Sequence, residues 1–310
     1  MIVVFGSINL DLIYRVDAMP QPGQTILAHA MTTEPGGKGA NQAVAAALDG
    51  AQVTMIGMVG DDALATTALA GLKAASVDLF GISTAEGPTG SACIAIDAGG
   101  QNQIIVAPGA NAAAHRDQVH DAVLISGAIL LTQMETDLAH TAGLIRDAHA
   151  KGLRCIHNLA PAGPLDADAL SLLEILVVNE EEGEWLACHL GGGTGDAATL
   201  HGLLGVTVVR TLGCDGVEWA EGGVRYHRPA PVITPVDTTA AGDCFVGVLA
   251  AALDRGATLE AAIARAGIAA PIACMRKGSQ RSLPKSAEID AALTDPLRFY
   301  SPGVAHVHPD

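Results

Sequence analysis

Basic residues are scarce in this sequence. Its 310 residues hold 17 Lys+Arg against 33 Asp+Glu, a formal net charge of −16. That balance argues against nucleic-acid binding, which needs an excess of cations to displace condensed counterions. It leaves room for a small anionic ligand, because clustered backbone N–H groups bind phosphate even inside a negative protein. Aromatic residues are equally few, at 3%, so Ala, Val, Leu and Ile must build the core. Long apolar runs are missing too. The longest, 122–131, is interrupted by Ser126 and Gly127 and falls well short of the roughly 20 residues a membrane-spanning helix needs. The first residues, MIVVFGSIN, lack the basic region and cleavage site of a signal peptide and read as a strand. The six cysteines stand at least 26 residues apart. Without a CxxC pair, zinc-ribbon and thioredoxin-like motifs are excluded, and buried free thiols in a reducing cytoplasm are expected.

The composition that remains, 49% apolar and 16% charged, excludes disorder and supports a sizeable core. Short β-branched runs at 2–5, 53–56, 129–131, 154–157, 175–178 and 206–210 alternate with Ala/Leu-rich stretches at 39–48, 61–75, 137–150, 180–189 and 197–204. Strands that are apolar throughout, alternating with helices, predict an α/β fold whose mostly parallel sheet is covered on both faces. Two stretches break the rhythm. Residues 12–34 and 91–106 carry polar/apolar alternation and turn signals, and predict extra strands forming a small lid. The tail from Pro296 onward is expected to be loosely held. His115, His120, His306 and His308 stand outside any HExxH or paired-ligand context, which favours surface positions over metal binding.

Two glycine-containing segments draw attention. The first runs Gly36-Gly37-Lys38-Gly39-Ala40-Asn41-Gln42-Ala43. Gly39 follows the lysine where a Walker A loop needs Ser or Thr, and no GxGxxG follows a strand. What remains is a tight backbone entering a helix, which is either an ordinary helix entry or a close approach to a ligand. The second runs Asp237-Thr238-Thr239-Ala240-Ala241-Gly242-Asp243 and precedes an Ala/Val-rich helix. An Asp at a helix start is either a cap or a general base beside an anion hole made of free N–H groups. Spacing alone leaves both open.

Taken together, these two segments resemble the paired signature of the PfkB-type (ribokinase-like) carbohydrate kinases. Further motifs follow in the family's order over nearly the whole chain. They are Gly6-Ser7-Ile8-Asn9-Leu10-Asp11, Gly60-Asp61-Asp62, the APGANA run at 107–112, Asn158-Leu159-Ala160-Pro161-Ala162, Asn179-Glu180-Glu181-Glu182, Thr211-Leu212-Gly213-Cys214-Asp215-Gly216 and Arg276-Lys277-Gly278-Ser279-Gln280. The resemblance implies a single three-layer α/β/α domain over 1–310, with a β lid that pairs two subunits into a homodimer.

It also implies a chemistry: ATP-dependent phosphorylation of a sugar's terminal hydroxyl, D-ribose to D-ribose 5-phosphate being the expected reaction. Alternatives are deoxyribose, fructose or a keto-deoxy sugar acid, and more distantly a non-catalytic sensor. By resemblance, Asn9, Asp11, Gly37, Lys38, Asn41 and Glu135 would hold the sugar. Asn179, Thr211, Gly213, Gly216 and Gly242 would line the ATP site. Ala240, Ala241 and Gly242 would form the anion hole, with Asp243 as base. Asp237, Thr239, Ala273, Arg276, Gly278 and Ser282 would hold K+, and Glu182 would reach Mg2+ through water. Three positions depart from the family pattern: Leu159 and Arg281 replace prolines, and Gly267 replaces a polar residue near adenine.

Overall fold

The computed structural model describes residues 1–99 and 101–295. The tail from Pro296, with His306 and His308, lies outside the described residues. Among the described residues, thirteen strands run in chain order: β1 (Ile2–Phe5), β2 (Asn9–Arg15), β3 (Ala30–Gly36), β4 (Val53–Gly60), β5 (Asp78–Ala85), β6 (Gly90–Ile96), β7 (Asn102–Ala107), β8 (Ile129–Thr132), β9 (Arg154–Asn158), β10 (Ile175–Val178), β11 (Thr207–Thr211), β12 (Val217–Glu221) and β13 (Val224–Arg228). Nine of them form one sheet in the order β13-β12-β11-β10-β9-β8-β1-β4-β5. All its pairings are parallel except β11/β12 and β12/β13.

β1 shows why this sheet is covered on both sides. Ile2 and Val4 belong to one buried cluster and Val3 and Phe5 to another, on opposite faces, as the twofold alternation of a strand requires. With few aromatics available, helix packing relies on small residues. Helix Ala241–Asp254 lies against helix Lys38–Leu48 so closely that a Cβ on Gly247 would sit 2.4 Å from the carbonyl oxygen of Gln42. That approach brings Asn41 and Gln42 up to Asp243, one turn before Gly247.

Strand order also locates the crevice. From β1 the chain moves outward through β4 and β5, then returns on the other side of β1 with β8. The order therefore reverses between β1 and β8, and in open α/β sheets ligands bind beyond the carboxyl ends of strands at such a point. Glu135 follows β8 there, and the segment after β1 leads into β2.

The remaining four strands form a second sheet, in the order β3-β2-β6-β7. β2 begins at Asn9 and β3 runs to Gly36, so both reach further toward the main sheet than residues 12–34 alone. The stretch expected as one helix over 61–75 is two five-residue helices, Leu64–Ala68 and Ala70–Ala74. The start is delayed because the Asp62 carboxylate accepts bonds from Thr89 and from the N–H groups of Leu64 and Ala65. No described helix is long and apolar enough to cross a membrane.

Candidate active site

Glycines let three segments meet beyond β1. A Cβ on Gly39 would lie 2.6 Å from Gly6 and Ser7 backbone atoms, so the helix Lys38–Leu48 starts directly on the segment after β1. Gly37, its N-terminal flank, has φ +89°, where a side chain is strained. Glu135 seals this junction: its Oε2 accepts from Ser7 Oγ (2.5 Å) and from the Lys38 N–H (3.1 Å). A carboxylate at a helix N-terminus is favourably placed toward the dipole.

On β2, Asn9 and Asp11 point to one face of the small sheet, as residues two apart must. Glycines on the flanking strands make room for both. A Cβ on Gly36 would fall 2.2 Å from the Asp11 carboxylate, and one on Gly90 would fall 2.3 Å from Asn9 Oδ1. Asn111 fixes Asn9: its Nδ2 donates to Asn9 Oδ1 (2.7 Å) and to the Ile8 carbonyl (3.2 Å), while its Oδ1 accepts from the Ile8 N–H (2.9 Å). The Asp11 carboxyl is pushed up to about 7, first by burial, then by the nearby carboxylates of Glu135, Asp243 and Glu34. Lys38 offsets part of this. Burial alone would lower the Lys38 ammonium, but Asp243, Glu135, Glu182 and Asp11 outweigh it and hold its pKa above the usual value.

Asp243 is the third residue of helix Ala241–Asp254 and is buried. The helix is flanked by Ala240, whose φ of +60° is uncommon for a residue with a Cβ. No side chain caps this helix. The Asp243 carboxylate turns instead to Asn41 Nδ2 (2.9 Å) and Gln42 Nε2 (3.0 Å). Burial raises its pKa, against the opposing pull of Lys38 and these two amides. A Cβ on Gly242 would meet nothing within 4 Å, so open space adjoins the helix start.

Further along the crevice, Asn179 and Thr211 stand at the carboxyl ends of the adjacent parallel strands β10 and β11. Asn179 and Glu182 cap each other at the start of helix Glu180–His189, with both bonds at 2.8 Å. Glu182 is buried, and its carboxyl is raised mainly by that burial. Gly213 and Gly216 form the turn after β11, and both have positive φ. The segment at 236–239 is strapped to 274–278: Asp237 accepts from the N–H groups of Thr239 (2.9 Å) and Gly278 (3.0 Å) and donates its own N–H to Cys274. Burial would raise the Asp237 carboxyl, but these bonds hold it below its ordinary value. Arg276 turns its guanidinium to Glu288, its N–H meets the Ala273 carbonyl, and Ser282 Oγ donates to the Ser279 carbonyl (2.7 Å). Among the described residues, no group of three or more His, Cys, Asp or Glu side chains is placed to hold a metal ion.

Residues 1–286 match the family described as pfkB family carbohydrate kinase. The chain belongs to this family. It is 34% identical over 298 residues to the ribokinase of Staphylococcus aureus, covering 93% of this chain and 98% of that relative. Ribokinase from Thermotoga maritima has the same fold, with a TM-score of 0.88 at 33% identity over 95% of this chain and 99% of the other. The structure of Arabidopsis thaliana ribokinase complexed with ribose and ATP follows at TM-score 0.84 and 29% identity, covering 94% and 98%. A PfkB kinase is a phosphotransferase acting on a sugar hydroxyl, and that activity is this chain's.

Against the PfkB pattern, the departures have visible consequences. Leu159 donates its N–H to the Val177 carbonyl (3.0 Å), a bond proline would not make. Arg281 reaches the small sheet and pairs with the buried Glu34 at 2.6 Å. A Cβ on Gly267 would face open space. Two residues at this PfkB site carry contacts to which sequence reasoning gave no role: Asn111, inside the APGANA run, and Gln42, inside the first glycine segment.

Proposed function

We propose that this kinase transfers the γ-phosphoryl group of ATP to the terminal hydroxyl of D-ribose, giving D-ribose 5-phosphate and ADP. The carrying observation is the placement of Asp243, buried beside an open helix start and close enough to Asp11 to raise its pKa. In this reading Asn9, Asp11, Lys38, Asn41 and Glu135 surround the sugar, with Gly37 giving the backbone room. Asn9 has its oxygen occupied by Asn111, which leaves its NH2 to donate to a sugar hydroxyl. A 2-deoxy sugar would leave that buried donor unmatched, so ribose is favoured.

Asp243 orients the attacking hydroxyl and takes its proton as the oxygen bonds to the γ-phosphorus and ADP departs. Ala240, Ala241 and Gly242, at the positive end of the helix dipole, form the anion hole for the charge that develops on the transferring group, the Ala241 N–H being shared with the Thr238 carbonyl (3.2 Å). Asn179, Thr211, Gly213 and Gly216 line the nucleotide side. Glu182 would hold, through water, a magnesium ion accompanying the nucleotide, which would supply charge neutralisation for the phosphate oxygens and needs few protein carboxylates. The strap of Asp237, Thr239, Ala273, Arg276, Gly278 and Ser282 offers hard oxygen atoms suited to K+. Ile104, Ile105 and Val106 make β7 an exposed apolar edge of the small sheet, which supports its role as a lid shared in a homodimer. Six free cysteines suit a reducing, cytoplasmic setting.

The test is an ADP-release assay with D-ribose, 2-deoxyribose and fructose, run on the native chain and on Asp243→Asn. Ribose should give the highest kcat/KM, and the variant should lose about 10²–10⁴ in kcat, the usual worth of a positioned acid or base. A higher value for fructose or deoxyribose overturns the substrate. An Asp243→Asn enzyme retaining more than about a tenth of native kcat, with chemistry rate-limiting, overturns the base.

A further inference from the structure

Four buried side-chain N or O atoms lack a partner among the described residues, and two of them, Gln133 Oε1 and Gln280 Oε1, lie behind Asp243. Both belong to amides that point nitrogen-first toward it. Gln133 Nε2 donates to Gln42 Oε1 (2.7 Å), and Gln42 Nε2 donates to Asp243 Oδ1 (3.0 Å). Gln280 Nε2 donates to Asn41 Oδ1 (3.1 Å), and Asn41 Nδ2 donates to Asp243 Oδ2 (2.9 Å). The direction is forced from the Asp243 end. A carboxylate only accepts, so Asn41 and Gln42 turn their NH2 groups to it, and their carbonyls in turn require donors. The mismatch passes outward and ends as one unmet carbonyl on each outer glutamine. Each of these oxygens lies over a glycine: a Cβ on Gly6 would be 2.1 Å from Gln133 Oε1, and one on Gly71 would be 1.7 Å from Gln280 Oε1. Buried carbonyls are rarely left unmet. Two such chains of the same polarity converging on one carboxylate are an arrangement organised around that carboxylate.

We propose that Gln42, backed by Gln133, is a positioning residue for phosphoryl transfer, fixing the orientation of Asp243 and holding it in its proton-accepting form. The proposal rests on Asp243 being the base. Gln42 is fully buried and acts through Asp243, out of reach of sugar and nucleotide. Asn41 occupies a position read as a sugar ligand, so it must share its amide with substrate, and Gln42 is the donor that remains. Gln42 Nε2 also reaches Asn158 Oδ1 (3.0 Å), and Asn158 donates to the Val177 carbonyl (3.2 Å), which ties the amide to the ends of β9 and β10. Of the charged groups around Asp243, Lys38 favours its ionised form, and Glu135, Asp11 and Glu182 oppose it. The neighbouring Cys244 thiol is kept protonated by burial. Removing one amide donor therefore disfavours the ionised form.

Gln42→Met removes the donor, whereas Gln133→Met keeps it and frees its orientation. We expect Gln42→Met to lower kcat by about 10–100-fold and to move the acid limb of the kcat/KM profile up by about one pH unit. Gln133→Met should move the limb the same way by about half as much, with sugar Kd by calorimetry within about threefold of native for both. On an Asp243→Asn background, Gln42→Met should cost nothing further. A folded Gln42→Met or Gln133→Met enzyme with a native acid limb overturns the proposal, and Gln133→Met decides alone if Gln42→Met does not fold. An active Asp243→Asn enzyme overturns the underlying base assignment instead, whatever the glutamine variants do.

Discussion

Asp11 sets binding against stability. Its carboxyl, at about 7 in the folded chain against 3.8 ordinarily, holds its proton more tightly in the native state than in the unfolded one. Such a group contributes stability that is full below the unfolded pKa and is lost as pH rises through the folded value. The shift corresponds to at most about 4 kcal/mol lost by pH 8. Asp11→Asn stays neutral at every pH, so the unliganded variant should melt several degrees above native at pH 8, and the gain should shrink steadily toward pH 5. Calorimetry at pH 8 should show sugar binding weakened by about tenfold or more, because a charged acceptor is lost. A variant melting no higher than native at pH 8 would show that the ionised Asp11 carries no such penalty. Nothing of this is visible along the sequence, where Glu135 and Asp243 are remote from Asp11. The same holds for Gln42, whose partners lie 91 to 201 residues away. The local alternatives for Asp243 could not be separated from spacing either, since only the folded chain shows its carboxylate turned to Asn41 and Gln42.

Between elements, the contact that matters most is the one joining the small sheet to the strap. Glu34 on β3 accepts from Arg281 on one oxygen and from the Ser279 N–H on the other, and Ser279 Oγ donates to the Pro35 carbonyl. The sheet so held carries Asn9 and Asp11, so loosening it should cost sugar binding before chemistry. Glu34 is 9% exposed and Arg281 is 63% exposed, which limits their pairing to about 1 kcal/mol. Arg281→Ala should raise KM for the sugar by about 3–10-fold with kcat near native, and a cycle with Glu34→Gln should show the two changes non-additive. Added salt should raise the native KM and leave that of Arg281→Ala flat, whereas equal salt responses would dismiss the pair. The departure of Arg281 was readable from sequence, but its partner was not, for Glu34 lies on another element. The central parallel strands were readable because burial on both faces makes them apolar throughout. The hairpin of β12 and β13 carries a turn signal of its own, Gly222-Gly223, both of which take positive φ in a two-residue turn, but its strands lack the apolar run that marks the buried parallel ones.

For the molecule as a whole, charge and shape act against each other at one place. β7 is one of the two edges of the small sheet, and in the single chain all six of its residues, Asn-Gln-Ile-Ile-Val-Ala, are exposed and uncharged. A short, uncharged, proline-free strand of high β-propensity at a sheet edge is a template for fibril growth wherever the subunits part and leave it uncovered. At neutral pH a net charge of −16 keeps copies apart, but that repulsion vanishes near the isoelectric point of about 4.9. Solutions brought toward pH 5 should therefore scatter light with a lag and then a rise, and bind amyloid dyes, where simple salting-out would give neither lag nor dye signal. Ile105→Lys, which places a charge in the middle of the edge, should lengthen that lag several-fold. An unchanged lag would locate the growing surface elsewhere. Colloidal shelf life, on this account, is decided by six residues that take no part in catalysis.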